Sequence, residues 1–341
     1  MIFKHPHRIE VSYSELSTWK TCRTKWYWGY GLNLEPRTQN IKMTVGKFGH
    51  IGMAAMLKRE DWERAMYLAS EELKKSNELW ADEIEIIDDA HMKARSILYR
   101  YERTLDWKSF KVIGTEISFE VSVPYVKHKL IGIIDAVIED NAGSLWIVEH
   151  KFPAQLRPIE DIEMSMQIGI YQYVMQKLKL PVVGTIYNQL IAKVPQLPQL
   201  NKNGSMSRTD IACDWETYRA ELLRNRLEPS DYHDMEEKLN KKIFFHSHRL
   251  YRSQQQVKVF GQEIAAATYE LVRTRKSIFM SESAINCRSC QFRELCMEVL
   301  RGRDPIDMIE AAYKQRESKA HSAGEETNGS SEGGGVQAAV L

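Results

Sequence analysis

The chain has few cysteines, almost no net charge and no long apolar run. Its 341 residues include five cysteines, and 47 Lys and Arg against 46 Asp and Glu give a formal net charge of +1. Five cysteines are too few for a disulfide scaffold of this size, so we expect a reducing, cytoplasmic setting. No apolar stretch is long enough to span a membrane, and the first residues lack the apolar segment of a secretory signal. The charge balance excludes a uniformly basic nucleic-acid-binding surface but allows a local basic patch.

The composition is that of an ordinary globular protein, with 43% hydrophobic and 27% charged residues. We predict a single domain over residues 1–317. It would consist of a helical part at 12–107, a strand-rich core at 111–194 and a second helical part at 214–300. Residues 318–341 are rich in Gly, Ser and Glu, which predicts a disordered tail.

The strand-rich core predicts an α/β fold. Three segments rich in Ile, Val, Phe and Trp lie between residues 111 and 151, a helical segment follows at about 159–180, and another strand begins at 182. The order strand–strand–strand–helix–strand predicts a mixed sheet in which the helix crosses over to a parallel strand.

Two carboxylates face each other across a predicted β-hairpin. With the turn centred on Ala142, Asp135 lies seven residues before it and Glu149 seven after it. In a regular antiparallel pair such residues lie opposite each other on one face, with Cβ atoms roughly 4.5–5.5 Å apart. Their neighbours are mostly Ile and Val, and a buried pair of like charges needs a cation. Lys151 follows Glu149 by two residues and points to the same face.

A divalent cation bound by carboxylates beside a lysine is suited to the hydrolysis of phosphodiester bonds. The cation polarises the phosphate and lowers the pKa of an attacking water, and the lysine orients that water. The hairpin alone leaves open an alternative, a salt-bridge cluster of Glu149, Lys151 and a partner. A slip of one residue in the register would turn the two carboxylates to different faces.

Further short motifs lie on either side of the hairpin. In chain order the motifs are Gly49-His50 in an apolar helix, Gly132-x-x-Asp135, Glu149-x-Lys151 and Gln167-x-x-x-Tyr171. Together they resemble the motifs of the PD-(D/E)xK nuclease superfamily. They are most similar to its branch of iron–sulfur exonucleases of the RecB and AddB kind, which has relatives in CRISPR adaptation and in phages. The resemblance covers roughly residues 12–300 and implies a restriction-endonuclease-like core of order αβββαβ with helical insertions.

The resemblance implies a site for Mg²⁺ or Mn²⁺. Asp135 and Glu149 would bind the ion through their carboxylates, and His50 would be a third ligand. The backbone carbonyl of His150 would be a fourth.

The strand before Asp135 has two possible registers. Glu116 matches an upstream acidic position of the superfamily. A tight turn at Lys127 and His128 would instead place Glu120 opposite Asp135. Both possibilities remain open at this stage.

The resemblance also implies roles for residues around the ion. Lys151 would act on the attacking water, and Gln167 and Tyr171 would position DNA and the active site. Phe152 follows the lysine at a position where many members of the superfamily have threonine.

The cysteines form a second candidate site. Cys287, Cys290 and Cys296 lie close together, and Cys22 lies near the other end of the chain. Four thiolates fit either zinc or an iron–sulfur cluster, and the spacing alone does not decide between them. One amino-terminal cysteine with three carboxy-terminal ones resembles the iron–sulfur members of the branch. This resemblance implies a [4Fe–4S] cluster, rather than zinc, that joins the two segments, with Cys213 as a buried thiol outside it.

Two segments combine basic and aromatic residues, at 20–47 and 238–276. Basic residues bind phosphates and aromatic rings stack on unpaired bases. We predict that residues 241–252, within the second segment, face DNA, and that Trp26 and Trp28 pack in the core.

The chain is thus predicted to be a metal-dependent DNA exonuclease in recombination, repair or phage DNA processing. A helicase or recombinase is a possible partner, and no membrane association is expected. The alternatives are a DNA-binding or assembly protein of the same fold with little activity, and a site-specific endonuclease.

Overall fold

The structure is a computed structural model, and it describes residues 9–38, 40–75, 81–240, 244–276, 278–281 and 283–316. The predicted tail at 318–341 and the first eight residues lie outside the described residues. Within the described residues, no helix has both the length and the apolar character needed to cross a membrane.

The amino-terminal part is mainly helical, as its periodicity predicts. Its elements are β1 (Glu10–Ser12), α1 (Tyr13–Thr21), α2 (Arg23–Trp26), a π-helical turn (Tyr27–Gly31), β2 (Leu34–Pro36), α3 (Ile41–Leu57), α4 (Trp62–Lys75) and α5 (Ala81–Glu102).

The central part contains the predicted strands and crossover helix. Its elements are β3 (Phe110–Ser122), β4 (Lys129–Asp140), β5 (Leu145–Lys151), α6 (Ile159–Glu163), α7 (Met166–Lys177) and β6 (Val182–Leu190).

The carboxy-terminal part is helical except for two strands. Its elements are α8 (Trp215–Arg224), a 3₁₀ turn (Pro229–Tyr232), α9 (His233–Asn240), β7 (Phe245–Leu250), α10 (Gln254–Thr274), α11 (Ala284–Arg288), α12 (Arg293–Leu300), α13 (Ile306–Ala312) and β8 (Tyr313–Gln315).

The main sheet is mixed, as predicted. Strand β4 pairs with β3 and β5 in antiparallel fashion and with β1 in parallel, and β5 is followed by parallel β6 and antiparallel β7. The first part of β4 pairs with β1 and its second part with β5. Residues 132–135 lie between these two parts, at the place where β1 and β5 diverge along one edge of β4. Asp135 is the last of these four residues.

Two helical layers cover the two faces of the sheet. Helices α1, α7 and α10 pack on Val137 and Ile147, whereas α3, α4 and α5 pack on Ala136 and Val148. Consecutive residues of one strand thus enter different cores, which is the alternation expected of a pleated strand. Both faces being covered explains why these strands read as nearly continuous apolar runs.

Several predicted helices are interrupted in the structure. The predicted helical part at 12–107 is broken at Cys22, whose backbone is extended and whose Sγ accepts a hydrogen bond from Lys25 N (3.5 Å). The predicted helix at 159–180 is two helices, because Ser165 adopts an extended backbone between them. In each case one residue caps the next helix instead of continuing the previous one.

The carboxy-terminal part also contains strands that the sequence did not predict. The basic segment at 238–276 includes β7, which extends the main sheet beyond β6. Strand β8 pairs with β2 in a separate two-stranded sheet that joins the two ends of the described chain. Trp26 and Trp28 are buried in the core, as predicted.

Candidate active site

Asp135 and Glu149 lie on neighbouring strands in the register expected from the hairpin. The β4–β5 pairs run from Glu139 with Leu145 to Ala136 with Val148, and the next pair in this register is Asp135 with Glu149. At that point the ladder ends, and the His150 backbone N–H donates to Asp135 Oδ2 over 2.7 Å. The Asp135 side chain thus accepts the hydrogen bond of a β5 backbone N–H at the point where β4 and β5 separate.

Glu149 is almost completely buried, with 1% of its side chain exposed. Its Oε1 forms an ion pair with Lys151, but its Oε2 is buried and has no hydrogen-bond partner among the described residues. Burial, and then the nearby Asp135 carboxylate, raise the pKa of Glu149 to about 7. One lysine therefore does not neutralise the carboxylate pair, and the unpaired Oε2 is an acceptor that a further cation could satisfy.

His50 contacts the same carboxylate from α3, with its Nδ1 3.4 Å from Asp135 Oδ1. Burial lowers the pKa of His50, but the Asp135 carboxylate more than offsets this, so the pKa is raised overall. Burial likewise raises the pKa of Asp135, and the hydrogen bond and charge of His50 reverse this to a net lowering. Without a metal, the imidazole and the carboxylate thus each favour the charged form of the other.

Glu116 completes this group on the third strand. One possible ligand atom from each of His50, Glu116 and Asp135 lies within 4.8 Å of the others. Glu116 falls between the β3 residues paired with Ala136 and Ile134, and therefore lies across from Asp135. Its φ of +50° marks a local irregularity in β3.

The alternative with Glu120 opposite Asp135 is wrong, because Glu120 pairs with Ile131 and its carboxylate binds Lys129. The turn between β3 and β4 spans residues 124–127, because Val123 N donates to His128 O and Ser122 pairs with Lys129. The turn predicted at Lys127 and His128 is therefore two residues too late, which is why Glu116 and not Glu120 lies across from Asp135.

Phe152 packs against His50, and Gly49 makes space for its ring. The two rings are 5.5 Å apart between centroids and nearly perpendicular. A Cβ at Gly49 would lie 2.4 Å from the Cζ atom of Phe152. The phenylalanine that departs from the usual threonine is thus accommodated by the glycine next to the histidine, and it helps to fix the imidazole.

Gln167 and Tyr171 lie on one face of α7, and the Gln167 Nε2 donates to the Tyr171 hydroxyl over 2.9 Å. The Tyr171 ring packs on Phe119, with centroids 5.9 Å apart. Burial raises the pKa of Tyr171, and the Glu149 carboxylate raises it further. This tyrosine therefore stays protonated beside the acidic group.

His150 points its side chain away from this group. Burial lowers the pKa of His150 to about 4, so the imidazole is neutral, and its Nδ1 lies 3.4 Å from Asn188 Nδ2. Its backbone carbonyl as a metal ligand remains a prediction.

Sequence reasoning missed the residues that β6 adds to the site. Tyr187 pairs with Glu149 across the β5–β6 ladder, and Gln189 pairs with Lys151. Paired residues share a face, so both side chains extend the acidic group across the sheet. A signal was present, since Asn188 and Gln189 are polar residues in an otherwise apolar strand. Only the tertiary pairing shows which of them faces the site.

The four cysteines of the second candidate site come together at the chain ends. Burial raises the pKa of the Cys296 thiol, and the charges of Cys290, Cys22 and Cys287 raise it further. All four are partly exposed, whereas Cys213 is buried and donates to the Asp214 carbonyl (3.2 Å). Four sulfur ligands close to one another suit a bound cationic centre, so these residues fit the implied group.

Comparison with known proteins identifies the family. The family model of the PD-(D/E)XK nuclease superfamily matches residues 10–297. The chain therefore belongs to this superfamily, whose members are hydrolases that use divalent metals and act on DNA. No curated protein matches the chain. Among solved structures, the crystal structure of SSO0001 is similar at 11% identity and a TM-score of 0.29, over 77% of this chain and 86% of its own.

Proposed function

We propose that the chain is a metal-dependent DNA exonuclease that acts in DNA recombination, repair or phage DNA processing. The observation that carries this proposal is the buried pair of carboxylates, Asp135 and Glu149, on neighbouring strands. A structural ion pair would leave no buried carboxylate oxygen without a partner, whereas Glu149 Oε2 has none among the described residues.

The proposed ligands of Mg²⁺ or Mn²⁺ are His50, Glu116, Asp135 and Glu149, with the carbonyl of His150. A divalent cation held there supplies Lewis-acid polarisation of the scissile phosphate. Hard oxygen donors with one imidazole suit Mg²⁺ and Mn²⁺. Before the ion binds, Lys151 neutralises part of the acidic charge through its ion pair with Glu149.

The other residues of the site bind and orient the reactants. Lys151 donates hydrogen bonds to the attacking water and sets its direction. Tyr171, protonated and hydrogen-bonded to Gln167, donates to the DNA backbone. The apolar cores around β4 and β5 limit the access of other water to the reacting phosphate.

We further propose that Cys22, Cys287, Cys290 and Cys296 bind a [4Fe–4S] cluster rather than zinc, in a reducing cytoplasmic setting. The backbone N–H of Lys25 donates to Cys22 Sγ, a contact that stabilises a cluster thiolate. The cluster would reinforce the junction of the chain ends that β2 and β8 form.

The test uses protein purified without oxygen, Mn²⁺, and two labelled DNA substrates, a linear duplex and a covalently closed circle. An exonuclease degrades the linear duplex and spares the closed circle. Asp135→Asn keeps the size of the side chain and should abolish cutting. Asp89→Asn is the matched control, because Asp89 lies on the surface of α5 in an ion pair with Lys93 and should have no effect.

Two results would contradict the proposal. Cutting of the closed circle at defined positions would indicate a site-specific endonuclease. Equal DNA binding without cutting by the wild type and Asp135→Asn would indicate a DNA-binding or assembly protein. A helicase or recombinase partner would be identified separately, by an increase in the cutting rate when it is added.

A further inference from the structure

The loop after Lys151 is held against the acidic site by a buried glutamine. Gln189 is completely buried, and its Oε1 accepts a hydrogen bond from Arg157 N over 2.7 Å. The Nε2 of the same side chain donates to Arg157 O over 3.1 Å. The Gln189 side-chain amide thus hydrogen-bonds both the N–H and the carbonyl of Arg157, which are the groups that a neighbouring β-strand would bind. At the other end of the loop, Ala192 N donates to Pro153 O over 2.8 Å.

This arrangement places an exposed arginine next to the proposed active site. Gln189 pairs with Lys151 across the β5–β6 ladder, so the residue it binds lies beside the catalytic strand. The guanidinium of Arg157 donates to the carbonyl of Asp161 over 3.3 Å, and it lies close to the Tyr187 hydroxyl. Because a guanidinium has five N–H donors, these two contacts leave donors for a ligand.

Tyr187 connects the arginine with the acidic group. It pairs with Glu149 on the same face of the sheet. Burial raises the pKa of Tyr187, and the charges of Lys151 and Arg157 oppose that rise. The phenol is thus close to both cations, and Arg157 adds positive charge to the site beside that of Lys151.

The acidic charge of the site favours such an extension. Glu116, Asp135 and Glu149 give the described site three carboxylates, against Lys151 and the His50 imidazole. A DNA strand brings one negative charge per nucleotide, so the phosphate next to the scissile one needs its own positive partner. An arginine with a fixed backbone and free donors matches the geometry of a phosphate group.

We propose that the Arg157 guanidinium binds the phosphate next to the scissile one on the same DNA strand, and that Gln189 is the positioning residue for this contact. The inference rests on the proposed function, because it takes DNA as the ligand. The alternative is that Arg157 has only a structural role, in which its guanidinium caps the Asp161 carbonyl of α6.

The test measures DNA binding in EDTA, where no cutting takes place, by fluorescence anisotropy of a short duplex at several salt concentrations. Arg157→Ala should weaken binding by about tenfold. It should also reduce the slope of log affinity against log salt by about 0.9, because one phosphate contact is lost. Arg157→Lys keeps the charge, so the slope should stay and the affinity should fall less.

Arg95→Ala is the matched control for the change in charge. Arg95 lies on the surface of α5 in an ion pair with Glu63, at 3.0 Å. This variant should keep the affinity and the salt slope of the wild type. Duplexes that carry one neutral methylphosphonate linkage, each at a different position, then locate the contact. At one position the neutral linkage should weaken DNA binding by the wild type and leave DNA binding by Arg157→Ala unchanged.

The role of Gln189 is tested by combining variants. Gln189→Met should weaken DNA binding in the wild-type background and have no further effect in the Arg157→Ala background, because it acts through Arg157. A merely structural role would lower the melting temperature equally in both backgrounds and leave the salt slope unchanged.

The inference fails if Arg157→Ala has the wild-type affinity and salt slope, even where the variant is less stable. This outcome is separable from failure of the proposed function. If Asp135→Asn has lost cutting while Arg157→Ala binds DNA like the wild type, only the phosphate site is wrong. If Asp135→Asn cuts normally, the catalytic proposal is wrong whatever Arg157 does.

Discussion

Two glycines of α3 provide a sharp test of how the structure fixes His50. A Cβ added at Gly46 meets no atom of the described residues within 4 Å, whereas one added at Gly49 lies 2.4 Å from the Phe152 ring. Both residues are inside the same helix, so replacement by alanine gives each the same gain in helix propensity, about 0.5–1 kcal/mol. At Gly49 this gain is opposed by overpacking, which costs about 1–3 kcal/mol.

We therefore expect Gly46→Ala to raise the free energy of unfolding by about 0.5–1 kcal/mol. Gly49→Ala should be less stable than Gly46→Ala by about 1–3 kcal/mol, because only the Gly49 variant has the cost of overpacking against Phe152. Equilibrium denaturation in urea, followed by tryptophan fluorescence, measures the difference. Because the displaced Phe152 ring packs on His50, Gly49→Ala should also weaken Mn²⁺ binding, and Gly46→Ala should not.

A second substitution checks the cause of this effect. Phe152→Thr removes the ring that clashes, so Gly49→Ala should cost little stability when made in that background. Equal stability of the Gly46→Ala and Gly49→Ala variants in the wild-type background would refute the packing of Phe152 over Gly49.

Three further predictions concern the ion, the lysine and the cysteines. Mn²⁺ binding should become tighter as the pH rises and release protons below about pH 7, because Glu149, with its pKa raised to about 7, must lose its proton to bind the ion. Calorimetry in buffers of different ionisation enthalpy measures the protons, and pH-independent binding would contradict the assignment. Lys151→Met should abolish cutting but retain Mn²⁺, since the lysine acts on water and is not a ligand; unchanged cutting would remove it from the mechanism. Cys290→Ser should lose the brown absorbance of the cluster and some stability, while Cys213→Ser keeps the absorbance; stoichiometric zinc in the wild type would contradict the cluster.

The hairpin of the candidate site could be predicted from the sequence because its register depends only on local features. Asp135 and Glu149 are equally far from the turn, and a short turn fixes the pairing of the strands that it joins. The apolar strands around them follow from the same pattern. The break at Cys22 was not predictable in this way, because a helical periodicity continues through it.

The rest of the site depends on pairings between distant segments. Glu116 lies across from Asp135 because the turn between β3 and β4 spans residues 124–127, two residues earlier than the turn predicted from Lys127 and His128. Tyr187 faces the site because β6 pairs with β5 after the α7 crossover. Arg157 lies in a loop whose course is set by the buried amide of Gln189, a contact between residues that no periodicity connects.

The most direct test of the central claim is anomalous diffraction from crystals of the protein soaked in Mn²⁺. The account predicts a manganese peak within ligand distance of Asp135 and Glu149, with His50 as a further ligand and the Lys151–Glu149 ion pair broken. A peak elsewhere, or no peak at saturating Mn²⁺ with that ion pair intact, would contradict it.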